Sequence, residues 1–356
     1  MLKRHLLITT ICLLASSLLS NTVDAVTYVT TLNVPKVMVR SLVTRGNYAY
    51  LACSNGTLQI VDITTPAKPS LIGSVKATSG DIFELKLQGR YAYLAAYTGG
   101  MSIMDISDPA KPQQVGFLKT PGAARAIFVQ GDFAYIADYH PVHLTIANIK
   151  DPAAPTIVST FTTASGGNDT KGAVRIGDYV YLVYSQGGIM EIVDVGDIKN
   201  PVSKKVIPST GGIGFVLNDT SAYLAVMLQG YKGGPGYRIM EYKNPANPTV
   251  VQTIKTDERG MWIKIWGQYA LLCDGMSGFK IMDISNLATP KEVFTYDTPG
   301  TARGVDVSGK HAYVVDGDKG MLVFDISDLT PPATKKDGDA PKLEENKTKT
   351  KDDTKK

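Results

Sequence analysis

The sequence predicts an all-β protein: a seven-bladed β-propeller of four-stranded blades, its ring closed by the N-terminal strand completing blade seven. Three observations predict it. A glycine-led aromatic strand recurs seven times, as GNYAYLAC from Gly46, GRYAYLAA from Gly89, GDFAYIAD from Gly131, GDYVYLVY from Gly177, DTSAYLAV from Asp219, GQYALLCD from Gly267 and GKHAYVVD from Gly309. The anchors are spaced by 43, 42, 46, 42, 48 and 42 residues, a period that suits one four-stranded blade. A twelve-residue string also returns, LQIVDITTPAKP at 58–69 and MSIMDISDPAKP at 101–112.

Each copy reads in the same order. A short alternating strand such as ARAIFVQ (124–130) comes first, and a turn led by the anchor glycine opens the second strand. A hairpin with glycine follows, as at Thr98-Gly99-Gly100, where a positive φ is needed. The third strand is the twelve-residue motif, and DPAKP then turns the chain, proline presetting φ and Asp or Ser bonding nearby backbone N–H groups. The fourth strand is exemplified by PQQVGFLKT. All segments are short and rich in Val, Ile, Tyr and Leu, as strands are.

The seventh copy stops after LVFDISDLTPP, without a fourth strand. VTYVTTLNVP, at 26–35, resembles the fourth strands EVFTYDTPG (292–300) and QVGFLKTPG (114–122). Residues 26–36 are therefore expected to complete blade seven, leaving no open edge. The propeller is expected to span 26–332.

The strings LQIVDI, MSIMDIS, MEIVDV, FKIMDIS and MLVFDIS resemble the LVIVD-repeat family. The resemblance implies an exported or cell-surface propeller and implies no particular chemistry. Copy five departs most, reading RIMEYKNPANP with an enlarged hairpin before it.

Residues 1–25 read as an export signal: Lys3, Arg4 and His5, the apolar LLITTICLLASSLL, then small residues around Val23-Asp24-Ala25. The mature start is expected near Val26, with a periplasmic, cell-surface or secreted destination and no transmembrane anchor after cleavage. Residues 333–356 carry eight Lys and six acids from Lys335 onward with almost no apolar content, the composition of a disordered tail. Charge is nearly balanced, at 37 Lys and Arg against 33 Asp and Glu, so no electrostatic footprint calls for nucleic acid. Cys53 and Cys273 fall in blades one and six, too far apart for a disulfide.

Six positions before each anchor stand Arg40, Phe83, Arg125, Lys171, Ile213, Met261 and Arg303; seven after it stand Cys53, Ala96, Asp138, Tyr184, Val226, Asp274 and Asp316. Arg125 with Asp138 and Arg303 with Asp316 recur at one separation. They read either as a charged ring for an anionic or polar ligand or as a repeated structural ion pair, and their recurrence favours the ion pair.

The preferred binding patch lies where the repeat breaks, over blades four to six on the loop face. It comprises Tyr184, Tyr231, Tyr237, Arg238 and Trp262, joined by Arg40, Arg125 and Arg303. Metal candidates are weak: Asp138, His140 and His143 in blade three, and Asp316 with Asp318 in a Gly-rich hairpin that lacks the later acidic ligand of a calcium loop. No cofactor fingerprint is present. Glu84 and Asp306 on inner strands are the only acid–base pair to consider.

These observations favour a non-catalytic propeller binding a protein or envelope component through its loop face. The alternatives are a hydrolase or lyase with a site at the channel mouth and a metal-dependent adhesion module.

Overall fold

A computed structural model describes residues 25–34, 37–78, 80–141, 143–164, 168–186, 189–208, 212–217, 223–229 and 235–329. The strands run in chain order, beginning with β1 (Thr27–Leu32). Blade one is β2 (Val39–Arg45), β3 (Tyr48–Cys53), β4 (Thr57–Asp62) and β5 (Ser70–Lys76). Blade two is β6 (Glu84–Gln88), β7 (Tyr91–Ala95), β8 (Met101–Asp105) and β9 (Gln113–Leu118). Blade three is β10 (Ala123–Gln130), β11 (Phe133–Tyr139), β12 (Leu144–Asn148) and β13 (Thr156–Phe161). Blade four is β14 (Asn168–Ile176), β15 (Tyr179–Gln186), β16 (Ile189–Asp194) and β17 (Val202–Pro208). Blade five is β18 (Gly212–Leu217), β19 (Tyr223–Gln229), β20 (Pro235–Glu241) and β21 (Thr249–Lys255). Blade six is β22 (Trp262–Trp266), β23 (Tyr269–Cys273), β24 (Phe279–Asp283) and β25 (Lys291–Tyr296). Then come β26 (Gly304–Ser308), β27 (His311–Val315) and β28 (Met321–Asp325).

Seven four-stranded antiparallel sheets result, and the seventh has the order β1-β28-β27-β26. Its outer strand is thus the first strand among the described residues. The pairing carries an internal signature. In blades one to six, the fourth strand bulges by one residue against the third, at Ile72, Val115, Val158, Lys204, Val251 and Val293. β1 bulges in the same way at Val29, between Tyr28 opposite Phe324 and Thr30 opposite Val323. Such bulges strengthen local twist and blunt an outer edge against foreign strands.

The inner strands touch in succession, from β2 through β6, β10, β14, β18 and β22 to β26, and β26 also touches β2. Apolar clusters fill the spaces between neighbouring sheets. Leu51 packs with Tyr313, Val315 and Val323 of blade seven, whereas Tyr50 and Ala52 pack with Leu85, Leu94 and Met104 of blade two. Alternation along the strand sends consecutive side chains to opposite blades. The second strand is therefore buried on both faces, which explains why the repeat reads AYLA rather than apolar–polar.

The anchor glycines take left-handed backbone, Gly46 at φ 59°, Gly131 at 59° and Gly309 at 58°. A Cβ there would meet nothing within 4 Å, so the requirement is conformational, not spatial. The Asp that ends the third strand folds its carboxylate onto its own chain: Asp62, Asp105, Asp283 and Asp325 each accept the N–H two residues on, at 2.8–2.9 Å. These bonds to the ionised form hold all four carboxyls below the usual range. The twelve-residue string is a strand and an Asx turn.

Candidate functional site at the channel mouth

The six-before-anchor residues sit where each inner strand begins, and the backbone there is irregular. Register breaks between Val39 and Ser41, Ala124 and Ala126, and Thr170 and Gly172 leave Arg40, Arg125 and Lys171 as the extra residue of a bulge. A bulge re-aims its side chain away from the regular sheet face. This separates Arg125 from Asp138 and overturns the expected ion pair: Arg125 instead reaches Asp169 of blade four, at 3.9 Å. Arg303 likewise forms no salt bridge with Asp316, which accepts from the Thr298 hydroxyl at 2.8 Å.

The re-aimed groups converge. The guanidinium of Arg40 lies 4.2 Å from the centroid of Phe83, and that of Arg125 lies 4.6 Å from the same ring. Arg125 is also 4.7 Å from Tyr97 and 5.5 Å from Tyr139. Contacts of this kind are favourable and more so when partly desolvated. Arg40 pairs with Asp81 at 2.8 Å, and Lys171 with Asp169 at 2.7 Å. Ser185 donates to the same Asp169 carboxylate at 2.6 Å. Asp169 and Tyr97 hold positive φ, 59° and 40°, a conformation that costs free energy in residues other than glycine.

Burial lowers the proton affinity of Arg303, and the charges of Arg40 and Arg259 lower it further. Lys171 is shifted down chiefly by burial, with Arg125 and Arg259 adding to it. The backbone brings these cations together: Gly275, beside the Arg259 carbonyl, bridges to Ala302 next to Arg303, and Gly317, beside the Arg303 side chain, accepts the N–H of Val39 next to Arg40. The Nε–H groups of Arg40, Arg125 and Arg303 are buried without an acceptor.

Several mouth residues escaped the sequence reading: Asp81, Tyr97, Tyr139, Asp169 and Arg259. A positional signal for them existed. Asp81, Asp169 and Arg259 each lie eight residues before an anchor, and Tyr97 and Tyr139 lie eight after one.

The patch over blades four to six is different from its expectation. Tyr184 is fully buried and donates to Glu191 at 2.9 Å; Tyr237 is fully buried and donates to the Cys273 carbonyl at 2.5 Å. Alternation turns both into the packing between sheets, so neither is a surface anchor. Arg238 is half-buried on β20, and burial lowers its proton affinity. Trp262 is half-buried, packed between the cores on either side of blade six, with the Lys86 ammonium 5.4 Å from its ring. Blades two and six thus meet across the channel. Tyr231 lies outside the described residues.

The metal candidates diverge. Asp138 is fully buried and accepts from the Thr145 hydroxyl, while His143 turns toward blade four. Its Nδ1 accepts the Thr163 N–H at 3.1 Å, and its ring meets Tyr184 edge-on at 5.5 Å. His140 is exposed, as is Asp318, whereas Asp316 is buried. Among the described residues no group of three His, Cys, Asp or Glu could hold a metal ion. Cys53 and Cys273 are free, buried thiols, and burial pushes Cys53 up to about 12. No helix among the described residues is long and apolar enough to cross a membrane.

On the opposite face, a groove of about 500 Å³ between blades one and two is lined by Arg45, Tyr48, Tyr50, Arg90 and Pro109 among others. Its cations are already committed, Arg45 to the Gly89 carbonyl at 2.5 Å and Arg90 to Asp105 at 2.9 Å.

Seven four-stranded sheets following one another in this manner define the class: a seven-bladed β-propeller. The fold is similar to the Myceliophteria thermophila Cps50 (Swd1) β-propeller domain, with a TM-score of 0.68 at 12% identity over 84% of this chain and 98% of that one. It is also similar to the computationally designed Ika8 protein, at a TM-score of 0.59 and 9% identity over 84% and 99%. The LVIVD repeat matches residues 38–77, 79–120, 121–163, 260–298 and 299–337, more than half of the sequence, and the chain belongs to the LVIVD-repeat family. Residues 164–259, which hold blades four and five, lie outside those matches. Comparison with curated proteins found no match.

Proposed function

We propose that the chain is an exported, non-catalytic propeller that binds a protein or an envelope component through the face where its inner strands begin. One observation carries the reading: bulges and hairpins on that face bring Arg40, Phe83, Tyr97, Arg125 and Tyr139 from three blades to one mouth, and Arg303 of blade seven joins them beside Gly317, whose carbonyl accepts the Val39 N–H. Aromatic and arginine side chains are the preferred anchors of binding surfaces. Export is supported by the basic start and apolar run of residues 1–25.

The channel carboxylates favour binding over acid–base chemistry. Glu84 accepts the Ile127 N–H at 3.1 Å and pairs with Lys86 at 2.6 Å. Asp306 accepts the Thr44 N–H at 2.8 Å and pairs with Lys264 at 2.8 Å. Both are held as ion-paired supports between blades.

The test places a photo-crosslinking residue at Tyr139 on the loop face or at Lys111 on the opposite turn face, in cells of the native host. A discrete adduct from Tyr139 with none from Lys111 is expected, in a fraction outside the cytoplasm. Adducts of equal yield from both faces, or retention inside the cell, would overturn the reading.

A further inference from the structure

Arginine side chains buried in a protein are normally hydrogen-bonded, and like charges are normally kept apart. The mouth gathers like charges and leaves the Nε–H of Arg40, Arg125 and Arg303 without an acceptor. Arg40, Arg125, Lys171, Arg259 and Arg303 share it with two carboxylates bonded to them, Asp81 and Asp169. Asp81 serves Arg40, and Asp169 serves Lys171 and Arg125. Arg303 has no carboxylate within salt-bridge reach among the described residues, and Arg259, which is exposed, is placed the same way. Three guanidinium Nε–H donors there lack an acceptor. The side chains are nonetheless fixed: Arg40 and Arg125 are only 22% and 18% exposed and both lie on Phe83. A pre-positioned arginine loses little freedom when it binds, which favours affinity.

We infer that the channel mouth is a binding site for a multiply charged oxyanion, a phosphoryl group, held by Arg303 and Arg259 with the guanidinium groups of Arg40 and Arg125. This rests on the reading of that face as the binding face and names the chemistry it recognises. A phosphoryl group carries about −1.5 to −2 charge and three terminal acceptor oxygens, and guanidinium forks match its geometry bidentately. A single carboxylate has two oxygens and one charge, which one fork satisfies; the mouth supplies forks from four blades. The anion would also relieve the mutual repulsion of Arg303, Arg40 and Arg259.

The test uses the full chain and calorimetric titration with inorganic phosphate and with glycerol phosphate at low ionic strength, beside co-sedimentation with vesicles containing phosphatidic acid, whose headgroup is a phosphomonoester, and phosphatidylcholine controls. Phosphate is expected to bind and to raise the melting temperature, with affinity falling as salt rises. Arg303→Gln should weaken binding at least tenfold. Arg259→Gln, an exposed change that leaves packing untouched, should weaken it severalfold. Arg90→Gln, on the opposite face, should leave it unchanged.

Binding to glycerol phosphate without vesicles supports the site and assigns a soluble source; vesicle binding lost in Arg303→Gln supports it and assigns a headgroup. Absence of phosphate binding in the unaltered chain, or equal loss in Arg90→Gln, overturns the inference. If the Tyr139 adduct persists when phosphate does not bind, the binding face stands and only its oxyanion chemistry falls.

Discussion

The two faces of the propeller use charged side chains in opposite ways. On the turn face, carboxylates are spent locally: Asp62, Asp105, Asp283 and Asp325 each bond their own backbone, and Asp108 and Asp151 do the same in the following turn. On the mouth face, Arg40 reaches across to Asp81, Arg125 to Asp169, and Arg303 to no carboxylate among the described residues. The turn face repeats from blade to blade because every blade has to turn there. The mouth face varies at one repeat position, from Arg to Phe to Lys to Met, because nothing in blade architecture requires a particular side chain there. Repetition within the chain marks what the fold needs, and its failure marks what is available for binding.

The largest effect that sharpens this contrast should come from the packing of the turn face. A Cβ on Gly116 would lie 1.9 Å from the Pro152 carbonyl oxygen of the next blade's turn. Gly116→Ala is expected to cost about 3 kcal/mol, read from chemical denaturation, with phosphate binding per folded molecule unaffected.

A smaller effect, of opposite sign, is expected beneath the mouth. Burial pushes the Asp138 carboxyl up to about 6, from an ordinary value near 4. The folded state therefore holds a proton that the unfolded chain has released between about pH 4 and 6, so stability falls as pH rises through that window. Asp138→Asn should remove this slope and add on the order of 2 kcal/mol at pH 7. Melting curves from pH 4 to 8 would check it, and an unchanged slope would return Asp138 to the status of an ordinary carboxylate.

The smallest effect should come from a single turn. Asp105→Ala removes the acceptor of the Ser107 N–H and the partner of Arg90, with an expected cost of about 1 kcal/mol. The carboxyls of such turns ionise more readily folded than unfolded, so their contribution is present above about pH 4 and is lost as pH falls through their lowered folded values. A loss much above that figure would mean that the turn face is held by more than its own local bonds.

Much of the blade was legible in the sequence because each feature answers to a local rule. The anchor glycine is dictated by a turn that needs positive φ, as at Gly46 and Gly309, and AYLA by a strand buried on both faces. The pairing of β1 with β28 was legible from the resemblance of VTYVTTLNVP to other fourth strands. The site was legible only in part. Spacing singles out Arg40, Arg125 and Arg303 but pairs Arg125 and Arg303 with carboxylates that they do not reach; in blade three a bulge breaks the regular alternation that such spacing assumes. Tyr184 and Tyr237 read as surface anchors in one dimension because aromatic residues near an irregular loop look exposed there. The packing of neighbouring sheets buries both.

By itself the sequence determined the number of blades, the order of strands within each and the residues that turn them, because these depend on local propensity repeated at a fixed period. Only the tertiary structure decided which charges meet. Arg40, Arg125, Lys171, Arg259 and Arg303 are separated by as much as 263 residues in sequence, and they share one mouth because the ring places the starts of their inner strands around a single axis and bulges turn three of them toward it.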